Sequence, residues 1–273
     1  MPTTIPTTTS TTRPGSPSTG DAYFETDTKN YIIYDGANWR GYASDGIIYS
    51  FPSNSYSASF DGVNDYIDTN NKFDFIQKTC NFSITCWVKF ADYTSTASNE
   101  YIIHSSDSNG RVGFMLYYDN RSNTKKLITI VSTTTSVETP IAVTDGITDN
   151  NWHHIAVTCS GSGGTLRLYK DGVEIGNTTA PTAGSVSAMQ TLTLGGALNT
   201  SGNLILPFEG NLDEVAVFNY ELTSTQINSI RSSPYNYLGL TSIYRFENNA
   251  VDSVGANNGT NNGATFVTST KPY

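Results

Sequence analysis

Phe82-Ser83-Ile84-Thr85-Cys86-Trp87-Val88-Lys89-Phe90 places Phe82, Ile84, Cys86, Val88 and Phe90 at every second position. Successive side chains of a strand point to opposite faces. Those five residues therefore share one apolar face, and Ser83, Thr85, Trp87 and Lys89 share the other. A helix would divide the same five between two sides, so the stretch reads as a strand with one face in a core. Working outward, Ile155, Val157 and Cys159 repeat the spacing. Leu166 to Tyr169 runs through Lys170-Asp171-Gly172 into Val173-Glu174-Ile175, which reads as a hairpin. Leu192 to Gly196 and Leu212 to Phe218 supply further strands. Asp-Gly pairs at Asp61-Gly62, Asp145-Gly146 and Asp171-Gly172 suit tight turns that need a positive φ.

The composition agrees. Of 273 residues, 37% are hydrophobic and only 14% charged, with 17 Tyr, 12 Phe and 23 Gly, a mixture that favours strands and turns over helices. One helix is expected. Thr223-Ser224-Thr225-Gln226 has the spacing of a capping box, Leu222 can staple onto Ile227, Ile230 continues the apolar face, and Pro234 lies beyond the end. At about two turns it must dock to persist.

The formal net charge of −9 repels phosphates, and Lys125-Lys126 is the lone adjacent basic pair, so nucleic acid is not an expected partner. No apolar run approaches the length of a membrane-spanning helix. Three cysteines, Cys80, Cys86 and Cys159, leave at least one thiol unbridged. With no CxxC spacing they read as small buried apolar groups rather than redox or metal groups.

Residues 1–20, MPTTIPTTTSTTRPGSPSTG, lack a basic segment followed by an apolar one and are not expected to be a secretory signal. Alone, so polar a stretch cannot offset its ordering entropy. It is either a disordered tail or an extended arm laid on a neighbouring subunit. Residues 21–50 read as a small β unit with strands at Ala22–Glu25, Tyr31–Tyr34 and Trp39–Tyr42. Asp27 to Asn30 and Asp35-Gly36 are the turns. Residues 56–273 form the main domain.

Two resemblances add to this. Arg13 to Gly46 resembles a segment common in bacteriophage structural proteins. There a Pro/Gly-Ser lead-in precedes a strand of the form Gly20-x-x-Tyr23-Phe24-x-Thr26 and a hairpin like Asp35-Gly36-x-x-Trp39. The second resemblance spans more than 200 residues. Phe60 to Ile67, Phe82 to Lys89, Trp152 to Thr158, Leu168 to Gly172, Leu194 to Gly196, Phe208 to Val215 and the capped helix follow the order of the laminin-G-like/concanavalin-like family. That family implies an all-β fold, an antiparallel jelly-roll sandwich, here preceded by the arm and the small β unit. Tyr244 to Glu247, Asp252-Ser253 and Asn258 to Thr260 also match the family. They match a phrase that opens the domain in many relatives, whereas here it closes the chain.

Three kinds of site are candidates. Glu209, Asp213 and Glu214 invite comparison with the Glu-x-Asp-x-x-Glu pattern of glucanases on this fold. Their spacing is four then one, and strand alternation sends Asp213 and Glu214 to opposite faces, which argues against hydrolysis. Asp61, Asn64, Asp65, Asp213, Glu247 and Asp252 lie in loops or strand ends that the family often uses, and are the candidate calcium ligands. The alternative is that they hydrogen-bond their own turns. Tyr93, Tyr101, Tyr117 and Tyr118, in or near long polar loops, could face a sugar. His153 and His154 are neighbours on a strand and should point apart, so they are not expected to share an ion.

Together these readings imply a non-enzymatic virion protein made in the bacterial host cytoplasm. Residues 1–50 would attach it to other capsid or tail proteins, as a homo-oligomer, with the sandwich displayed outward. A host-surface glycan would be its ligand in the alternative reading.

Overall fold

The computed structural model describes residues 7–9, 11–18, 21–25, 30–34, 39–42, 54–95, 99–106, 112–134, 137–184, 190–199, 201–232 and 240–272. The chain divides into two compact units, residues 1–52 with 232–239 and residues 53–231 with 240–273.

The first unit contains four short strands, β1 (Thr7–Thr8), β2 (Ala22–Glu25), β3 (Asn30–Tyr34) and β4 (Trp39–Tyr42). They form one sheet in that order. The β2–β3 and β3–β4 pairs are antiparallel, with Phe24 opposite Tyr31 and Tyr34 opposite Trp39. β1, inside the Thr/Ser/Pro-rich stretch, runs parallel to β2. Ile32 is buried. Asp35-Gly36 and residues 27–29, read as turns, lie outside the described residues.

The second unit opens with β5 (Tyr56–Asp61), β6 (Tyr66–Asp68), α1 (Phe75–Lys78), β7 (Asn81–Phe90), β8 (Asn99–Ser106), β9 (Gly113–Asp119), β10 (Lys126–Thr134) and β11 (Val137–Thr144). It continues with β12 (His153–Ser160), β13 (Thr165–Lys170), β14 (Val173–Thr179), β15 (Thr193–Leu194), β16 (Ala197–Leu198), β17 (Leu204–Ile205) and β18 (Glu209–Phe218). α2 (Ser224–Ser232), β19 (Leu240–Tyr244), β20 (Thr260–Asn262) and β21 (Thr265–Thr268) complete it.

Among the described residues these strands make two large sheets. One has the order β11-β10-β9-β8-β15-β6-β20, the other β14-β13-β12-β7-β18-β5-β21 with β19 beside β18. Every pairing in both is antiparallel. The protein is the antiparallel β-sandwich expected from the alternation of Phe82–Phe90. That strand lies in the middle of the second sheet, where Phe82, Ile84, Cys86, Val88 and Phe90 are buried in the core.

Aromatic rings join the two layers. Phe82 meets Phe114 edge-on at 5.8 Å, and Phe90 contacts Tyr118 at 5.0 Å and Phe208 at 5.3 Å. Each fully buried ring contributes about 1.5–3 kcal/mol relative to exposure. The β13–β14 hairpin has the two-residue turn its sequence demands. Lys170 pairs with Val173, and Asp171 and Gly172 have φ of +52° and +82°.

The helix also forms as read. The Gln226 side-chain oxygen accepts the Thr223 N–H at 2.8 Å, and the Thr223 hydroxyl accepts the Gln226 N–H at 3.3 Å. Leu222, Ile227 and Ile230 are buried.

Two findings depart from the sequence reading. The region holding Tyr101, Tyr117 and Tyr118 is not loop but strand, in β8 and β9. Those strands escape a simple alternation test because β8 shifts register between Tyr101 and Ile103, and because Leu127 to Val131 of β10 buries both faces. The chain end is the second departure. β20 pairs with β6 in one sheet and β21 with β5 in the other, so the last two strands close an edge of each layer.

Candidate functional site

The three acidic residues of β18 do not stand as strand alternation predicts. The pairing with β7 shifts register between Asp213 and Ala216, and Glu214 takes a left-handed φ of +44°. This β-bulge inserts one extra residue and turns Asp213 and Glu214 to the same side. Asn54 Nδ2 donates to both carboxylates, at 3.0 and 3.2 Å, and Lys271 Nζ lies 3.0 Å from Asp213 and 3.3 Å from Glu214. Arg245 Nε is 3.6 Å from Glu214, and Ser269 Oγ donates to Asp213 at 2.9 Å.

The expectation of opposite faces is therefore corrected, but the conclusion drawn from it gains a different basis. Both carboxylates are fully buried, and the Lys271 side chain is 1% exposed. Burial pushes Asp213 up to about 6 against the pull of the Lys271 ammonium, and burial pulls the ammonium down against the two carboxylates. Glu209 stands exposed at the other end of β18, opposite Asp61. A glycosidase needs two carboxyls facing one solvent-accessible cleft. This arrangement is a sealed ion-pair cluster.

The six candidate calcium ligands are not brought together. Asp61 Oδ1 accepts the N–H groups of Val63 and Asn64 at 2.8 and 3.3 Å, and Asp65 Oδ2 accepts that of Asp61 at 3.0 Å. Both Glu247 oxygens accept the Ser55 N–H, at 2.9 and 3.1 Å. Asp252 Oδ1 accepts from Ile243, Val254 and Gly255 at 3.0 to 3.2 Å. Asp213 belongs to the lysine cluster. Among the described residues no three His, Cys, Asp or Glu side chains converge on a metal position. A hard cation wants six to eight oxygens, and the Asp61, Asp65, Glu247 and Asp252 carboxylates each accept from backbone donors instead.

The two histidines diverge. His153 Nδ1 lies 2.8 Å from Asp171 and Nε2 3.2 Å from Asp149, and the bond to Asp171 holds the imidazole above its ordinary range. His154 meets Trp87 edge-on at 5.4 Å, and burial pushes its imidazole down to about 3.

The outer face of the seven-stranded sheet carries what the acidic residues do not. Phe114, Leu116 and Tyr118 of β9 enter the core, so Met115 and Tyr117 face the other way. Tyr101 lies opposite Tyr117, and the two rings stack at 4.6 Å with 5° between their planes. His104 meets Tyr101 edge-on at 5.3 Å, and the half-buried Tyr101 and Tyr117 pack over a buried cluster of Met115, Ile128 and Ile130. Burial holds the His104 imidazole down to about 4.

Polar groups flank the tyrosine pair at one end. Asn99 pairs with Asp119 two residues along from the tyrosines. Arg121 grips Asp119 with Nε and Nη2, both at 3.1 Å, and that contact holds the carboxyl below its usual range. Asn99 Oδ1 is buried, with no hydrogen-bond partner among the described residues. The two other candidate tyrosines serve structure. The Tyr118 hydroxyl donates to the Tyr93 carbonyl from inside the core, and Tyr93 packs beneath Lys125.

A family model described as the concanavalin A-like lectin/glucanases superfamily matches residues 61–228. The chain belongs to this family. The superfamily match ends at α2, so β19, β20 and β21 lie outside it. Solved structures share the lectin-like sandwich. A heptameric SAP-like pentraxin from Limulus polyphemus is 17% identical, with a TM-score of 0.59 over 81% of this chain and 98% of its own. A putative carbohydrate binding protein from Bacteroides ovatus is also 17% identical, at 0.58 over 94% and 71%. The Ruminococcus gnavus IT-sialidase CBM40 is 13% identical, at 0.52 over 64% and 97%.

Replacing Lys271 by Met removes the one cation among the described residues that reaches both buried carboxylates, leaving Arg245 beside Glu214 only, and should cost about 3 kcal/mol in chemical denaturation. Adding Asp213→Asn and Glu214→Gln should recover most of that loss. A Lys271→Met loss below about 1 kcal/mol would show that the cluster does not hold the chain end. A calcium chelator should leave the melting temperature unchanged.

Proposed function

We propose that this protein is a non-catalytic recognition module that binds saccharide on the outer face of the seven-stranded sheet and is displayed on a phage virion. The observation that carries the binding reading is the stacked Tyr101–Tyr117 pair. Two rings held parallel by cross-strand pairing form a rigid apolar platform, and a sugar ring presents C–H groups that pack on such a surface. Asp119 and Arg121 supply polar groups beside the platform. A few fixed polar groups around an apolar surface is the usual make-up of a small-molecule site. The names of two similar structures, a carbohydrate binding protein and a carbohydrate-binding module of a sialidase, support the same ligand class. The non-catalytic reading rests on the Asp213–Glu214 carboxylates, which Lys271 and Arg245 occupy.

The virion reading rests on the resemblance of Arg13 to Gly46 to phage structural proteins. In it, residues 1–50 attach the protein to capsid or tail partners, copies associate as a homo-oligomer, and the particle is assembled in the host cytoplasm.

On a glycan array the full-length chain should bind a defined set of saccharides. Tyr117→Ala should weaken that binding about tenfold or more, equivalent to about 1.4 kcal/mol, while far-UV circular dichroism shows the variant still folded. Binding to no glycan, or full binding by the Tyr117→Ala variant, would sink this site. Deleting residues 1–45 should abolish incorporation into particles, measured by the protein content of purified virions. A truncated chain that still assembles would refute the attachment role.

A further inference from the structure

The buried cluster on β18 has the layout of a reacting site as well as of an ion pair. Lys271 Nζ lies 3.0 Å from Asp213 Oδ2, so the Asp213 carboxyl carbon stands one C–O bond beyond that contact. The same nitrogen lies 3.3 Å from Glu214 Oε1. All three side chains are 1% exposed or less. The two Asp213 oxygens are held unequally. Oδ1 accepts the Glu214 backbone N–H at 2.8 Å and the Asn54 side-chain amide at 3.0 Å. Oδ2 faces the amine and accepts the Ser269 hydroxyl at 2.9 Å. Two N–H groups aimed at one carboxyl oxygen are the arrangement that stabilises an oxyanion as it develops. Glu214 touches the amine, and Arg245 stands 3.6 Å from Glu214. Groups held about 3–3.5 Å apart and away from water need little further ordering to react. Burial raises the Asp213 carboxyl to about 6 and lowers the Lys271 ammonium, and both shifts favour passing a proton from the amine to the carboxylate.

We propose that Lys271 and Asp213 are a self-modification site, where an amide bond forms between Lys271 Nζ and Asp213 Cγ with Glu214 as the proton carrier. An ammonium proton passes to the Asp213 carboxylate, giving a neutral amine and a carboxylic acid. The Nζ lone pair attacks Cγ, and the C=O electron pair moves onto Oδ1 between its two N–H donors. Glu214 takes the surplus proton from Nζ and delivers it to Oδ2. The C–Oδ2 bond breaks, the C=O bond re-forms at Oδ1, and one water leaves. One C–N bond replaces one C–O bond, nothing is oxidised or reduced, and no co-reactant is consumed. Charge stays balanced, because the Lys271–Asp213 pair is lost as a unit and Glu214 keeps Arg245. The cost of holding an ammonium and a carboxylate out of water disappears with them. The bond ties β18 covalently to the segment beyond β21, within one compact unit. Folding comes first, because the bulge at Glu214 is what brings the three groups together, and the ion-pair cost of Lys271→Met is that of the chain before the bond forms. The reaction occurs once per chain and is independent of the saccharide reading.

The test follows the intact mass of the folded full-length chain over several days at neutral pH, then maps the product by digestion. The expected product is one water lighter than its sequence and yields a peptide joining Asp213 to Lys271. Lys271→Arg keeps the cation but should keep the full mass. Glu214→Gln should slow the loss of water about 100-fold or more, the effect of removing a positioned proton carrier. A wild-type chain that stays at full mass, a dehydrated chain without the cross-linked peptide, a link from Lys271 to Glu214, or water loss that persists in Lys271→Arg would overturn the proposal. Water loss at the wild-type rate in Glu214→Gln would overturn the role given to Glu214. The wild-type product decides whether the bond forms even if a variant fails to fold.

Discussion

The register shift at Glu214 is the constraint on which the arrangement of this sandwich turns. A regular β18 would send one of two adjacent carboxylates into the apolar core, where an unpaired charge is far too costly. The left-handed residue instead turns Asp213 and Glu214 to one side, and a single lysine from the chain terminus reaches both. Asn54, at the start of the unit, donates to the same carboxylates. The cluster therefore ties the first and last described segments of the sandwich to β18 in its second large sheet. Ser269 adds a backbone bond to Ser55 at 2.9 Å, and Trp152 donates to Thr270 at 3.2 Å, so the tail is held along its length.

That closure divides the molecule's polar chemistry. Carboxylates that in another sandwich could perform acid–base work are here occupied by a buried cation. The loop carboxylates Asp61, Asp65, Glu247 and Asp252 hold turns through backbone N–H groups. The proposed saccharide face is that of Tyr101, Tyr117 and Asp119. Its geometry comes from cross-strand register rather than from a loop. A platform made by paired strands is rigid, which lowers the entropy lost when a ligand packs on it.

Much of the fold was legible. The alternation in Phe82–Phe90, the Asp171-Gly172 turn and the Thr223–Gln226 capping box each encode a local preference that the packed structure keeps. The seven-stranded sheet was far less legible. Leu127-Ile128-Thr129-Ile130-Val131 is apolar on both faces, so it has no period to detect, and the bulge in β8 breaks the alternation around Tyr101. The tyrosine pair could have been found had Tyr101 and Tyr117 been read as strand residues on facing positions. Nothing local states their register.

The sequence by itself determined that this is an all-β protein with one docked helix, because period-two alternation and turn chemistry are properties of neighbouring residues. Tertiary structure alone decided where Lys271 ends and which tyrosines stack. Each of those depends on pairing between segments tens to hundreds of residues apart. A single inserted residue at Glu214 reverses the faces that alternation assigns, and no short stretch of sequence records it.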